Sequence, residues 1–437
     1  MDHNAQKTEI RLAGGSITAL NDGKFIRARG IKYATAGRFQ KPQPFSTWEG
    51  SQDCTKPAPV CPQNPSRLGL VNGDLEKGRE QDEDCLNLTI VAPVSAKDAP
   101  VMVFIHGGAW VSGAGDLDAY SPHKLAERGV IGVTITHRLG VFGYLAIPDV
   151  VSSPNLGLLD QIEALRWIKH NIAAFGGDAS NVTVFGQSAG ADAVYCLAAA
   201  DVEDQPLFHR GIMQSLPAAM REDENRDEMT KAMSLHARRT ITPENASTIP
   251  VSALLEVQKE LLGVARKVSP ALLAFGPVVG EDPLPSAEKT LERFVAASKT
   301  QSMMIGWTSD EHTAFTQIDN RPEARIYLRN LFQDSSEVLA QQLAAVDPQQ
   351  RPPPTYEISW HPSESTNLKS THCIDLPLVL GDWSAWIDAP MLQGEGVQQQ
   401  VEAVGDAVKD LWVAFAKGDV APGTARFKID KDFSFPN

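Results

Sequence analysis

One ten-residue stretch, Asn181-Val-Thr-Val-Phe-Gly-Gln-Ser-Ala-Gly190, constrains this chain more than any other. Its β-branched run, residues 182–185, reads as a buried strand, and residues 191–200 read as a helix. Between them Gly186-Gln187-Ser188-Ala189-Gly190 fits the pattern G-x-S-x-G. Strand, tight turn and helix in that order form the context of a nucleophile elbow, whose strained turn exposes the serine hydroxyl above a sheet. Glycine at 186 and 190 suits that turn, because the strand and helix must pass close to it. The bare pattern is common by chance, so the rest of the chain has to supply the serine's partners.

Strands and helices alternate along most of the sequence. Residues 9–48 read as short strands broken by Gly14-Gly15 and by Asn21-Asp22-Gly23, the second a hairpin turn. Further strand candidates are 86–91, the continuous apolar run 101–105, 131–135, 211–214, 303–306 and, as the last, 356–360. Residues 158–175 carry Ile162, Leu165, Ile168 and Ile172 at helical spacing, and 253–264 carry Leu254, Val257, Leu261 and Val264 on one face. A proline-rich connector occupies 346–354, and 401–416 form a closing helix. The alternation predicts an α/β class, with a mostly parallel central sheet covered by helices on both faces. With no internal repeat or clear linker, residues 1–437 read as one elaborated domain, and 217–300 and 313–354 as helical insertions within it.

Composition narrows the partners. A formal net charge of −14 without a Lys/Arg cluster argues against nucleic acid. The first ten residues have no apolar signal core, and no apolar run reaches the length of a membrane span. A cytoplasmic location without membrane contact is therefore expected, for a monomer or homodimer. The five cysteines (Cys54, Cys61, Cys85, Cys196 and Cys373) show no C-x-x-C and no Cys/His ligand spacing. An odd number in that pattern argues against a disulfide scaffold and against zinc, and no metal or cofactor is implied.

A serine hydroxyl needs an adjacent base, itself oriented by an acid. Past the 303–306 strand stand Asp310 and Glu311, either of which could be the acid. After the last strand His361 and His372 are both available as base, and spacing does not choose between them. His106-Gly107-Gly108-Ala109-Trp110, following the 101–105 strand, is a glycine-rich loop that could bring backbone N–H groups to a reacting oxygen.

Several blocks carry a resemblance. Glu83-Asp-Cys-Leu-Asn-Leu88 matches an E-D-C-L-x-L signature, and Asn155-Leu-Gly-Leu-Leu-Asp-Gln161 through Gly190 matches a longer one. Leu207-Phe-His-Arg-Gly-Ile-Met-Gln-Ser215 and Phe275-Gly-Pro-Val-Val279 match further blocks. Together they resemble the type B carboxylesterase and cholinesterase family of α/β-hydrolases. That resemblance implies an α/β-hydrolase fold with helical insertions over the active site. It also implies a serine hydrolase that cleaves a small-molecule carboxylic ester through an acyl-enzyme. It assigns Ser188 as nucleophile, Glu311 as acid and His372 as base. The backbone N–H groups of Gly108, Ala109 and Ala189 become the oxyanion donors, and Gly107, Trp110 and Gln187 line the substrate pocket. Two motif glycines are replaced, by His312 after Glu311 and by Cys373 after His372.

The resemblance further implies buried ion pairs Arg38–Glu83 and Arg138–Asp160. Cys61 and Cys85 match a pair that is disulfide-bonded in secreted members, and reduced thiols are expected in a cytosolic chain. Cys54, Cys196 and Cys373 read as packing thiols, His361 as a strand-end histidine, and Asp375 and Asp382 as helix-start or surface carboxylates. A G-G-A loop is associated in the family with esters of bulky alcohols, and Gln187, where cholinesterases carry Glu, argues against a choline ester. Glu311 and His372 stand 61 positions apart, much closer than in full-length members, which implies a shallower acyl pocket. Alternative readings are hydrolysis of an amide, carbamate or lactone by the same residues, or a non-catalytic binding protein. The intact serine, acid and base argue against the last.

Overall fold

The apolar runs of the sequence become the strands of one sheet. A computed structural model of the chain describes residues 5–221, 225–269, 273–315, 322–347, 349 and 351–435. Pro348 and Gln350 of the proline-rich connector, and Met1–Asn4, lie outside the described residues. The main strands are β1 (Gln6–Leu12), β2 (Gly15–Asn21), β3 (Phe25–Lys32), β4 (Asn87–Pro93), β5 (Ala99–Ile105) and β6 (Ile131–Ile135). They continue with β7 (Gly177–Gln187), β8 (Arg210–Gln214), β9 (Ser302–Thr308), β10 (Thr355–Ile358) and β11 (Phe427–Ile429). Their order across the sheet is β1-β2-β3-β4-β6-β5-β7-β8-β9-β10-β11, with Ser51–Asp53 paired to β2.

From β1 to β6 neighbouring strands are antiparallel, and from β6 to β11 every pair is parallel. A parallel run is covered on both faces, so its strands are apolar throughout instead of alternating with polar residues. Strand β5 shows how. Val101, Val103 and Ile105 enter one core, and Met102 and Phe104 the other. Helices α1 (Leu156–Asn171) and α2 (Ala189–Ala199) fill the first core, and α4 (Val397–Lys417) fills the second with Val404, Val408, Leu411, Trp412 and Phe415. Between them in sequence, α3 (Val251–Val268) buries Leu254, Val257, Leu261 and Ala265. Val264, expected on that face, is only partly buried.

The chain lays β6 outside β5 and then returns to place β7 on β5's other side. Loops leaving the carboxyl ends of β5 and β7 therefore diverge from adjacent strands, the place where open α/β sheets leave a crevice. Strand β11 is the element the sequence pattern does not announce. Its three residues pair Tyr356 with Phe427 and Ile358 with Ile429, and that pairing alone makes it a strand.

Two charged pairs tie loops to this frame. Arg38 holds the Glu83 carboxylate, with Nε to Oε2 at 2.8 Å. Arg138 grips Asp160 with two guanidinium nitrogens (2.9 and 2.6 Å) and its backbone N–H (3.1 Å), and both side chains are almost wholly buried. Cys61 and Cys85 are free, buried thiols. Among the described residues no helix is long and apolar enough to cross a membrane.

Removing one partner of a buried pair strands the other charge out of water. Asp160→Ala is expected to lower stability by about 3–5 kcal/mol, read as the urea unfolding midpoint. A loss under about 1 kcal/mol would show that Arg138 finds water instead.

Candidate active site

Ser188 stands between β7 and α2 with φ +57° and ψ −119°, a conformation costing a non-glycine residue about 1–3 kcal/mol. Its N–H donates to the Gln214 carbonyl on β8 (2.8 Å), and its carbonyl accepts from Asp192 N–H (3.0 Å), so both sides of the turn are fixed. A Cβ on Gly190 would lie 2.0 Å from the Ile105 carbonyl oxygen, and one on Gly186 2.4 Å from Gly190. The two glycines are therefore steric requirements of the turn.

Register brings the next loop alongside. Ile105 pairs with Gly186, so the residues after β5 run beside Gln187 and Ser188. Gly108 and Ala109 have positive φ, +112° and +55°. A Cβ on Gly108 would meet the Ser112 carbonyl oxygen at 2.1 Å. The Gly108 carbonyl accepts from Val111 and Ser112 N–H, while the N–H groups of Gly108 and Ala109 meet no acceptor among the described residues. Ala189 opens α2, and the first N–H of a helix has no intrahelical acceptor. The unspent N–H groups of Gly108 and Ala109 thus belong to residues that share a cavity lining with Ser188. His106 behind the loop is pushed down to about 3 by burial and then by His137, so it adds no charge.

Acid and base are brought together by one backbone contact. A parallel bridge pairs Asp310, just past β9, with Thr371, which follows β10, and Asp310 N–H donates to the Ser370 carbonyl (3.0 Å). Each bridging residue is followed by the expected partner, so Glu311 and His372 fall side by side. His372 Nδ1 donates to Glu311 Oε2 at 2.5 Å, and Glu311 Oε1 accepts from Thr308 N–H at 2.9 Å. The other candidates lie elsewhere, Asp310 against the Ser309 hydroxyl and His361 Nδ1 against the Pro362 carbonyl. Phe315 and Phe332 flank the imidazole, their ring centres 5.3 and 4.7 Å away.

The other imidazole nitrogen holds a partner the sequence reading did not foresee. His372 Nε2 is met by the side-chain amide of Gln187 (3.1 Å) rather than by Ser188. Gln187 is buried, and a buried amide needs partners. It donates to His372 and accepts from the Cys373 thiol (Sγ to Oε1, 3.6 Å). Cys373 keeps the left-handed backbone of the glycine it replaces (φ +78°), whereas His312 is not left-handed. Burial, and then Asp375, push the Cys373 thiol well up, so it stays protonated.

Ser188, Gly108, Ala109 and His372 line a cavity of ≈ 390 Å³. The three expected pocket residues are placed elsewhere. Gly107 and Gln187 face a smaller void of ≈ 20 Å³ behind the loop. Trp110 is buried with its ring against Tyr144 and near His137, filled in by packing instead of facing the opening. The walls come instead from α3 and from Tyr327, Leu328, Leu331 and Phe332, in a stretch that bears no motif. Among the described residues no group of three His, Cys, Asp or Glu could hold a metal ion.

Comparison with known proteins gives a consistent picture. Residues 9–351 match the profile described as the carboxylesterase family. The chain is 34% identical over 390 residues to a probable N-octanoylanthranilate hydrolase of Rhodococcus erythropolis, covering 83% of each chain. It is 31% identical over 441 residues to the para-nitrobenzyl esterase of Bacillus subtilis, covering 92% of this chain and 88% of that one. The solved structure of a thermophilic PNB esterase superposes with a TM-score of 0.81 at 26% identity, over 98% of this chain and 96% of the other.

Asp375 departs from the surface reading. It precedes a short helix (Leu376–Val379) but is buried, with Oδ2 accepting from Gln214 Nε2 (2.6 Å) and no partner for Oδ1 among the described residues. Asp382, by contrast, is exposed at its helix start. Burial raises Asp375 from 3.8 to about 6, with Gln214 opposing and the Glu311 charge adding. The folded form therefore holds a proton that the unfolded chain releases near pH 4, so stability falls as pH rises from about 4 to about 6. Asp375→Asn is expected to raise the unfolding midpoint at pH 8, by on the order of 2 kcal/mol, and to leave it nearly unchanged at pH 4. An equal shift at both pH values would mean that ionisation is not the cause.

Proposed function

Because the chain belongs to the carboxylesterase family and is a carboxylic ester hydrolase, we propose that Ser188, His372 and Glu311 carry its chemistry. Ser188 Oγ attacks the ester carbonyl carbon while His372 Nε2 takes the hydroxyl proton. Glu311 holds Nδ1 and stabilises the imidazolium that forms. The N–H groups of Gly108, Ala109 and Ala189 donate to the developing oxyanion, each worth about 10²–10³ in rate. Collapse breaks the bond to the alcohol, whose oxygen leaves with the proton from His372. Water then attacks the acyl-serine with His372 again as base, releasing the acid and restoring Ser188.

The observation that carries this reading is the Nδ1–Glu311 bond of a histidine whose cavity also holds Ser188 and two unspent N–H donors. Proton transfer requires Nε2 to exchange the Gln187 amide for the serine hydroxyl. The helices of 217–300 and 313–354 act as a cap, supported by the lining residues from α3 and from 324–332. With the short connection from Glu311 to His372, we read the acyl side as open to bulky groups. A second reading, cleavage of an N-acyl bond by the same residues, is favoured by the likeness to the N-octanoylanthranilate hydrolase.

Ser188→Ala is expected to fold, to lose nearly all hydrolysis of p-nitrophenyl esters, by about 10⁴-fold or more, and to resist labelling by a fluorophosphonate that labels the parent chain. Substantial turnover by the variant would remove Ser188 as nucleophile. Across matched esters and amides of increasing acyl size, esters with bulky acyl groups are expected to react best. Activity confined to short acyl chains contradicts the open pocket, and faster turnover of the amides selects the second reading.

A further inference from the structure

The chain carries 54 acidic against 40 basic residues, yet its charge balance is reversed at one place. The wall of the Ser188 cavity contains Arg67, Lys259 and Arg266, and no Asp or Glu among the described residues. Lys259 is answered by Glu256, its neighbour three positions back on α3 (2.6 Å). Arg67 and Arg266 have neither an ion pair nor a hydrogen bond among the described residues. Elsewhere Arg38, Arg79, Arg128, Arg138 and Arg166 each hold a carboxylate.

Partial desolvation beside the cavity, and after it the neighbouring charge of Arg266, hold the Arg67 guanidinium below the ordinary arginine value. Two like charges that face one opening without a counter-ion among the described residues repel each other, and an anion placed between them relieves the repulsion. Much of the rest of the wall is apolar, with Leu262, Leu273, Leu331 and Phe332 beside polar residues such as Asn64 and Gln258. A ligand with an apolar body and an anionic end matches that distribution. The guanidinium fork suits a carboxylate better than a point cation would.

We propose that the cavity selects esters that carry a free carboxylate in addition to the scissile ester, with Arg67 and Arg266 as the carboxylate site. The assignment rests on the reading of Ser188 as nucleophile, since it names the substrate class of that site. Both arginine heads remain exposed, so solvent screens them and the preference is moderate.

Two matched pairs of substrates test it. In one pair the carboxylate is on the acyl side, the p-nitrophenyl monoester of glutaric acid against its methyl-capped diester. In the other it is on the alcohol side, the butanoyl ester of 3-hydroxybenzoate against that of its methyl ester. At low ionic strength the anionic member of at least one pair is expected to show a kcat/KM about tenfold higher, through KM, a gain that shrinks towards unity in about 0.5 M salt. Arg67→Gln with Arg266→Gln is expected to abolish the preference, bringing the kcat/KM of the anionic member to that of its neutral partner measured on the same variant. No preference in either pair, or a preference that survives the double variant or high salt, overturns the proposal. The salt series needs only the parent chain, so the test stands even if the double variant does not fold. Neutral esters untouched and Ser188 unlabelled would instead defeat the hydrolase assignment of the site itself, whereas neutral turnover without anion preference defeats this inference alone.

Discussion

The site depends on the hydrogen bond between His372 and Glu311, and that bond depends on two chain segments leaving adjacent parallel strands in register. Thr308 at the end of β9 pairs with Ile358 at the end of β10, and the pairing resumes beyond them where Asp310 meets Thr371. Between Ile358 and Thr371 the chain wanders, yet Ser370 hydroxyl returns to the Ile358 carbonyl (2.6 Å) and restores the alignment. An imidazole on a free loop would have to be ordered each time it met its acid, at a side-chain entropy cost of about 1 kcal/mol. Here the backbone bridge has ordered it already, and Phe315 and Phe332 keep the ring from turning away.

Strain also marks the chain around Ser188 and the glycine-rich loop. Ser188, Ala109 and Trp110 are non-glycine residues at positive φ, and Gly108 could not be any other residue. These conformations persist because the sheet over-determines them. Ile105 and Gly186 are neighbours in register, and Ser188 N–H is tied to β8. The resulting geometry leaves the N–H groups of Gly108 and Ala109 without an acceptor among the described residues.

The Gln187 amide introduces a competition that motif matching does not reveal. The imidazole nitrogen that would receive a serine proton is also the partner that satisfies a buried glutamine. A neutral amide can give up that bond at a cost of about 1 kcal/mol, which a carboxylate bonded to an imidazolium would not do as readily. Behind it, Gln214 and Asp375 form a second buried polar layer, in which Asp375 is destabilised by burial at neutral pH. The His372 imidazole is thus backed by side chains that are themselves incompletely satisfied.

Much of the fold was legible along the chain because its signals are local. The apolar runs at 101–105 and 131–135 are strands, Asn21-Asp22-Gly23 links β2 to β3, and the helix begun near residue 158 starts at Leu156. The glycines around Ser188 announced a turn that no other residue could make. Strand β11 carried no such signal, since three residues acquire strand character only from the edge they join. Choosing Glu311 over Asp310, and His372 over His361, required family resemblance at the level of sequence, and in space a single bridge sets Glu311 beside His372. The cavity wall was not legible at all. Arg67, Arg266 and Phe332 come from three distant segments without motifs, and Trp110, next to Ala109 in the glycine-rich loop, turns into the core. Sequence by itself determined the local backbone, because sterics and hydrogen bonding act between near neighbours. Only the tertiary structure decided which side chains share the opening, because that depends on how strands far apart in the chain are ordered in the sheet.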